Sequence, residues 1–156
     1  MTKKNFYILN EAVKVETKIK NSIFICTIDF AESTEQAKNI ISEISSQYKD
    51  ANHNCWAYIV GKNADIFHSS DNGEPSGTAG KPMLNTLQKY NLTNTVVVVT
   101  RYFGGIKLGV RGLIDAYSES TEQAINTSNL SVLLEFCKYK IITTYDYVEQ
   151  LKYKLK

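Results

Sequence analysis

Three short stretches hold most of the side chains that could do chemistry: HNCWAYIV (53–60), DNGEPSGTAGKP (71–82) and RYFGGIKLG within 101–109. The middle stretch sets two carboxylates, Asp71 and Glu74, beside the hydroxyls of Ser76 and Thr78, and it contains Gly73, Gly77, Gly80 and Lys81. Ser76 or Thr78 with His53 as base would form a nucleophilic pair, and Asp71 with Glu74 an acid/base pair, if the fold brings them together. A plainer reading serves the same residues. Asp71 closes an Asx turn, and Glu74 is a surface charge or a partner for Arg101. Spacing alone leaves both open.

The glycines point to a second chemistry. All eight lie between residues 61 and 112, and seven of them between 73 and 112. Glycine costs chain entropy, so such clustering implies positive φ or a backbone that something must approach. Gly104, Gly105 and Gly109 precede a predicted helix, where free N–H groups and the helix dipole favour an anion, and Arg101 and Lys107 flank them. A tight strand-to-helix connection would use glycines in the same way. Nucleotide motifs are excluded by position. Gly80-Lys81 is followed by Pro82, and the glycine that a phosphate loop needs is Pro75. The spacing of Gly104, Gly105 and Gly109 likewise departs from the dinucleotide fingerprint.

Metal chemistry has little support. The chain has two histidines and three cysteines, and these form no zinc-type pairs. The H-x-E signature of zinc deaminases is absent from His53-Asn54-Cys55. No cofactor is expected. Trp56 and Tyr58 share a strand face opposite His53 and Cys55, and Tyr102 and Phe103 adjoin Arg101. Aromatic platforms beside Arg and Lys suit RNA, although strand aromatics serve equally as core.

The elements that must position these residues follow from patterning. The segments 11–19 and 23–30 read as a hairpin around Lys20-Asn21-Ser22. Ser33 caps a helix over 33–49, with Gln36 returning the bond and Ala37, Ile40, Ile41 and Ile44 on its apolar face. Strands are predicted at 53–60 and 64–68, and a short helix opens at Lys81-Pro82. Val96–Val99 lacks alternation and implies a strand covered on both faces. A helix over 110–127, a strand within 130–144 and the start of a helix in the last twelve residues complete the order. Paired hairpins with segregated helices argue an α+β two-layer sandwich, its helices packed on one face of the sheet. At 156 residues, 43% hydrophobic and 22% charged, the chain can bury a core without staples. A net charge of +2 does not by itself advertise nucleic acid. Three unpaired cysteines, with no signal peptide and no membrane-spanning run, place it in the cytoplasm, away from membranes.

HNCWAYIVG, SDNGEPSGTAGKPML and VVVVTRYFGGIKLG, with GLIDAYSES following, resemble the YigZ/IMPACT family over most of residues 6–130. The resemblance implies a first domain, 1–130, with the fold of the second domain of ribosomal protein S5. It implies that 131–156 begin a truncated ferredoxin-like domain similar to the last domain of elongation factor G. It further implies a translation-linked regulator that binds RNA, the ribosome or a phosphorylated ligand through its two glycine-rich loops, with no catalysis expected. Eukaryotic members restrain the amino-acid-starvation response, so a protein-binding regulator of that kinase pathway is an alternative. An enzyme using Asp71, Glu74, Ser76 or His53 on a phosphoryl or acyl substrate is another. His53, Asp71, Glu74, Ser76, Gly77, Thr78, Gly80, Arg101, Tyr102, Gly104, Gly105, Lys107 and Gly109 match the family's motifs and form the expected ligand surface. The family's small residue and glycine after KLG are here Val110-Arg111. That change either blocks an approach or adds a charge to it.

Overall fold

The structure is a computed structural model that describes residues 5–155; residues 1–4 of the expected first domain and Lys156 of the second lie outside it. The chain runs β1 (Tyr7–Leu9), β2 (Val13–Ile19), β3 (Ser22–Phe30), α1 (Thr34–Gln47), β4 (His53–Val60), β5 (Ile66–Ser70), α2 (Gly80–Lys89), β6 (Thr95–Tyr102), α3 (Gly109–Thr127) and β7 (Leu130–Val132). A 3-10 turn (Tyr145–Tyr147) and α4 (Val148–Lys154) follow. Five strands form one antiparallel sheet in the order β2-β3-β6-β4-β5. The hairpin from β2 to β3 turns on Lys20 and Asn21, with φ of 44° and 64°. Positive φ at both central residues is what a two-residue hairpin requires, because it matches the twist of the strands.

The valine run becomes the central strand. Val96, Val97, Val98 and Val99 are all buried. At roughly 1.5–3 kcal/mol for each apolar side chain removed from water, β6 is the strand around which the sheet assembles. Alternation divides the two faces. Phe24, Cys26, Ile28, Cys55, Ala57, Ile59, Val97 and Val99 pack against Met83, Leu84 and Leu87 of α2 and Leu113, Ala116 and Tyr117 of α3. This is the expected α+β layer pair. On the other face, Ala37, Ile40 and Ile41 of α1 cover Trp56, Tyr58, Val60 and Val96. Ser33 Oγ accepts from the Gln36 N–H at 3.2 Å, as the capping pattern predicts. Gln36 Oε1 returns the bond one residue earlier, accepting from the Glu32 N–H at 3.0 Å.

Some boundaries differ from expectation. β5 starts at Ile66, two residues later than predicted, because Ala64 holds a turn at φ 53°. β1 was not anticipated, and three residues carry too little periodicity to announce it. It pairs antiparallel with β7. The strand expected within 130–144 covers only Leu130–Val132. Beyond it, Phe136, Tyr139 and Ile142 are exposed, and no strand among the described residues supplies the ladder that extended backbone needs.

Cys26 and Cys55 are buried and Cys137 is exposed. Burial pushes both core thiols up to about 12, so neither supplies thiolate at neutral pH. In native buffer, one thiol per chain is expected to react promptly with a disulfide reagent, and the other two only after denaturant is added. Mass mapping of the modified peptide identifies Cys137 as the first. Prompt modification of Cys55 would contradict the packing.

Candidate functional site

The strand register sets the first charged group of the site. On β6, Arg101 pairs with Phe24 of β3 on one side and His53 of β4 on the other, on the face that α3 covers. Its guanidinium lies 5.5 Å from the ring centroids of both Phe24 and Phe103. A guanidinium in such a place needs a counter-charge. Glu74 supplies it from the glycine-rich loop: Arg101 Nη1 donates to Glu74 Oε1 at 2.6 Å, with the two side chains 6% and 3% exposed. The Tyr117 hydroxyl of α3 donates to the same oxygen at 2.8 Å. Burial, with Cys55 and Glu74 alongside, drives the Tyr117 hydroxyl far above the ordinary tyrosine value, so it remains a donor.

His53 completes the cluster. Its Nδ1 lies 2.9 Å from the Asn72 carbonyl, an acceptor only. Nδ1 therefore carries the proton in the neutral ring, and Nε2 faces Glu74 Oε2 at 3.7 Å.

Asp71 has a different task. Its carboxylate accepts from the N–H groups of Gly77 (2.8 Å), Ala79 (3.0 Å) and Gly80 (2.8 Å). Ala79 and Gly80 form the start of α2, where no local side chain caps the helix. Asp71 thus closes the loop and caps the helix from nine residues upstream. Partial burial tends to raise its pKa, but the donors at Gly77, Gly80 and Ala79 prevail and hold it below the ordinary 3.8.

A cavity of about 470 Å3 opens between the loop and the start of α3. His53, Glu74, Arg101, Lys107 and Gly109 line it, joined by Asn52, Pro75, Phe103, Leu108, Val110 and Leu113. Five of the predicted residues therefore converge, and the rest serve elsewhere. Tyr102 donates its hydroxyl to Asp50 at 3.0 Å. Thr78 donates to the Pro75 carbonyl at 2.6 Å. Ser76 is exposed and does not line the cavity. Gly77 lines a separate groove between α2 and α3, with Lys81 and Lys89. Gly80 packs on the Ser70 backbone, where a Cβ would lie 2.8 Å away, and Gly105 turns the chain at φ 88°. At Gly104 a Cβ would come within 2.0 Å of the Asn21 backbone, so the hairpin turn and the second loop touch only because that side chain is missing. The stacked pair of Trp56 and Tyr58, 5.9 Å apart, belongs to the α1 face and stands behind the sheet from the cavity. Ser22, whose Oγ receives the Gly104 N–H at 3.2 Å, carried no sequence signal of its own.

A family model described as the Impact N-terminal domain matches residues 20–125, a span that includes every residue of the cavity. The chain is 46% identical over 122 residues to the IMPACT family member YvyE of Bacillus subtilis, covering 78% of this chain and 56% of that protein. It is 37% identical over 139 residues to the IMPACT family member YigZ of Escherichia coli, covering 84% and 68%. The crystal structure of a hypothetical protein superposes with a TM-score of 0.80 at 34% identity, covering 84% of this chain and 65% of that one.

Two substitutions separate the roles of the carboxylates. Asp71→Ala is expected to cost roughly 1–3 kcal/mol at neutral pH, as for a lost cap with charge-assisted bonds. The folded pKa lies below the unfolded one, so this stabilisation is complete above about pH 4. It fades as pH falls through the folded value. Denaturant melts of both proteins should therefore differ most near pH 7 and converge in acid. Glu74→Gln leaves the Arg101 charge buried without its counter-ion and is expected to cost about 3–5 kcal/mol. A loss under 1 kcal/mol in the same melts would remove the pair from its structural role.

Proposed function

The chain belongs to the IMPACT family, and from that premise we propose that it is a cytoplasmic, translation-linked regulator that binds RNA or another phosphorylated ligand at the cavity without transforming it. The translation link is what the resemblance to that family implies; the mode of action rests on the site. The observation that carries it is the open start of α3. Leu108 at the N-cap makes no side-chain hydrogen bond, and the first turn contains no acid. A helix start bears about half a positive charge. Here Lys107 and Arg111 add cations where the dipole already disfavours them. Arg101 is neutralised by Glu74, so the excess charge at the rim is positive. A polyanion relieves that repulsion.

The same geometry favours binding over catalysis. Asp71 is saturated by three N–H donors, and Glu74 is held by Arg101 and Tyr117. Thr78 is tied to Pro75, and Ser76 stands outside the cavity. No hydroxyl of the loop faces His53 as a nucleophile would have to. One observation favours a second reading, a protein partner: Phe103, Ile106 and Val110 are 45%, 46% and 62% exposed along one loop and the helix that follows it.

A fluorescently labelled single-stranded oligoribonucleotide, titrated at several salt concentrations, tests the proposal. The logarithm of the association constant should fall linearly with that of salt, at about −0.7 for each phosphate neutralised. Lys107→Ala combined with Arg111→Ala should weaken binding and flatten the slope by about 1–2. Binding that is indifferent to both salt and this double variant would overturn it.

A further inference from the structure

The cavity has two chemically different parts, and an anion explains only one of them. Its rim is cationic: Lys107 and the uncapped start of α3. Its interior is not. Leu108 and Leu113 are buried at its floor beside the neutralised pair of Arg101 and Glu74, and Phe103 and Pro75 form the walls. A lone phosphate has no use for such walls. One buried polar group of the lining residue Arg101 is unsatisfied. Arg101 gives Nη1 to Glu74, and Nη2 lies 3.5 Å from Ser22 Oγ, but its buried Nε–H has no acceptor. An orphaned buried donor costs about 1–3 kcal/mol. It marks a place where an acceptor would be gained at no desolvation cost to the protein. Between rim and interior, Gly109 stands at φ 76° with no atom within 4 Å of where a Cβ would project. The backbone there is bare towards the open space. The volume of about 470 Å3 suits one small molecule, within the ~300–1,000 Å3 usual for such sites.

We infer that the cavity takes a single nucleoside monophosphate unit with its base inward. The phosphate lies against the start of α3 and Lys107. The base lies between Phe103 and Leu113, and a ring carbonyl or ring nitrogen accepts from Arg101 Nε–H. Phe103, half exposed and 5.5 Å from the guanidinium, is the side chain that swings to admit it. Stacking on an aromatic with an adjacent Arg tolerates any base, so affinity for the unit should exceed selectivity among bases. The unit could be a free nucleotide, the end of an RNA, or an internal nucleotide turned out of its strand. The chemistry at the cavity is common to all three. This inference rests on the anion-binding reading above and adds the base.

Calorimetric titration of the full chain with AMP, UMP, ribose 5-phosphate and inorganic phosphate tests it, alongside a short oligoribonucleotide and an abasic oligomer of equal length. The mononucleotides, or the base-bearing oligomer relative to the abasic one, should bind at least tenfold tighter than the ligand without a base. A mononucleotide preference identifies a free nucleotide or an RNA end as the source, and a preference confined to the oligomers identifies an internal one. Phe103→Ala should remove most of that ratio, whereas Lys107→Ala should weaken ligands with and without a base alike. Both side chains are exposed, so neither variant threatens folding. If base-bearing and base-free ligands bind equally, the inference falls and the anion site stands. If none of the ligands binds, both fall.

Discussion

The contact between Arg101 and Glu74 ties three elements at one point. Arg101 belongs to the central strand, Glu74 to the glycine-rich loop and Tyr117 to α3, and their polar atoms meet within 2.8 Å. The loop has few apolar anchors, so its position over the sheet depends on polar contacts: this pair, the Asp71 carboxylate, and the bonds from β4 to its base. A buried ion pair is a poor source of net stability, because desolvation offsets its attraction. Its value lies in what happens when the loop is misplaced: a guanidinium remains buried without a counter-charge. The pair therefore selects one loop arrangement more than it stabilises the fold. The cavity is the space that arrangement leaves.

This dependence explains which parts of the structure were legible in the sequence. The hairpin, the Ser33 cap, β4 and the doubly covered valine strand declare themselves by local pattern, and they stand close to where that pattern places them. The expected ligand surface does not behave in this way. Thirteen motif residues stand close together in sequence, yet the strand register and the loop turns send them to different tasks. Alternation alone predicts that His53 and Cys55 oppose Trp56 and Tyr58. It cannot say which face receives α1, and so it could not place the aromatic pair behind the sheet. Asp71 reads as the start of a local turn because sequence reasoning looks two or three residues ahead. Its partners are six to nine residues ahead, at a helix start whose own N-cap, Ala79, has no side-chain acceptor.

Roles are thereby redistributed among the residues that looked reactive. Asp71 and Thr78 shape the loop, and Gly80 and Gly104 permit backbones to touch. The groups left facing open space are the cationic and apolar ones, Lys107, Phe103 and Val110. Cys55, two residues from His53, donates its thiol to the Asp71 carbonyl at 2.9 Å in a desolvated site. It secures the base of the loop.

The two helix starts beside the loops are treated in opposite ways, and the contrast separates stability from function. At α2 a distant carboxylate satisfies the backbone donors and complements the dipole. At α3 no side chain does so, and the residues on either side of the start, Lys107 and Arg111, carry the sign that the dipole disfavours. An acid placed there would be expected to stabilise the isolated chain by a few tenths of a kcal/mol up to about 1 kcal/mol. It would also fill the rim of the cavity with the wrong charge for an anion. The Val110-Arg111 departure from the family pattern strengthens the contrast, since Arg111 puts a further cation in the first turn where a glycine is expected. A start left uncapped, bare at Gly109 and surrounded by cations is unfavourable for the free protein and favourable for a complex. That imbalance is the ground for the binding surface proposed at the second glycine-rich loop. The first loop holds the Arg101 side of the cavity in place.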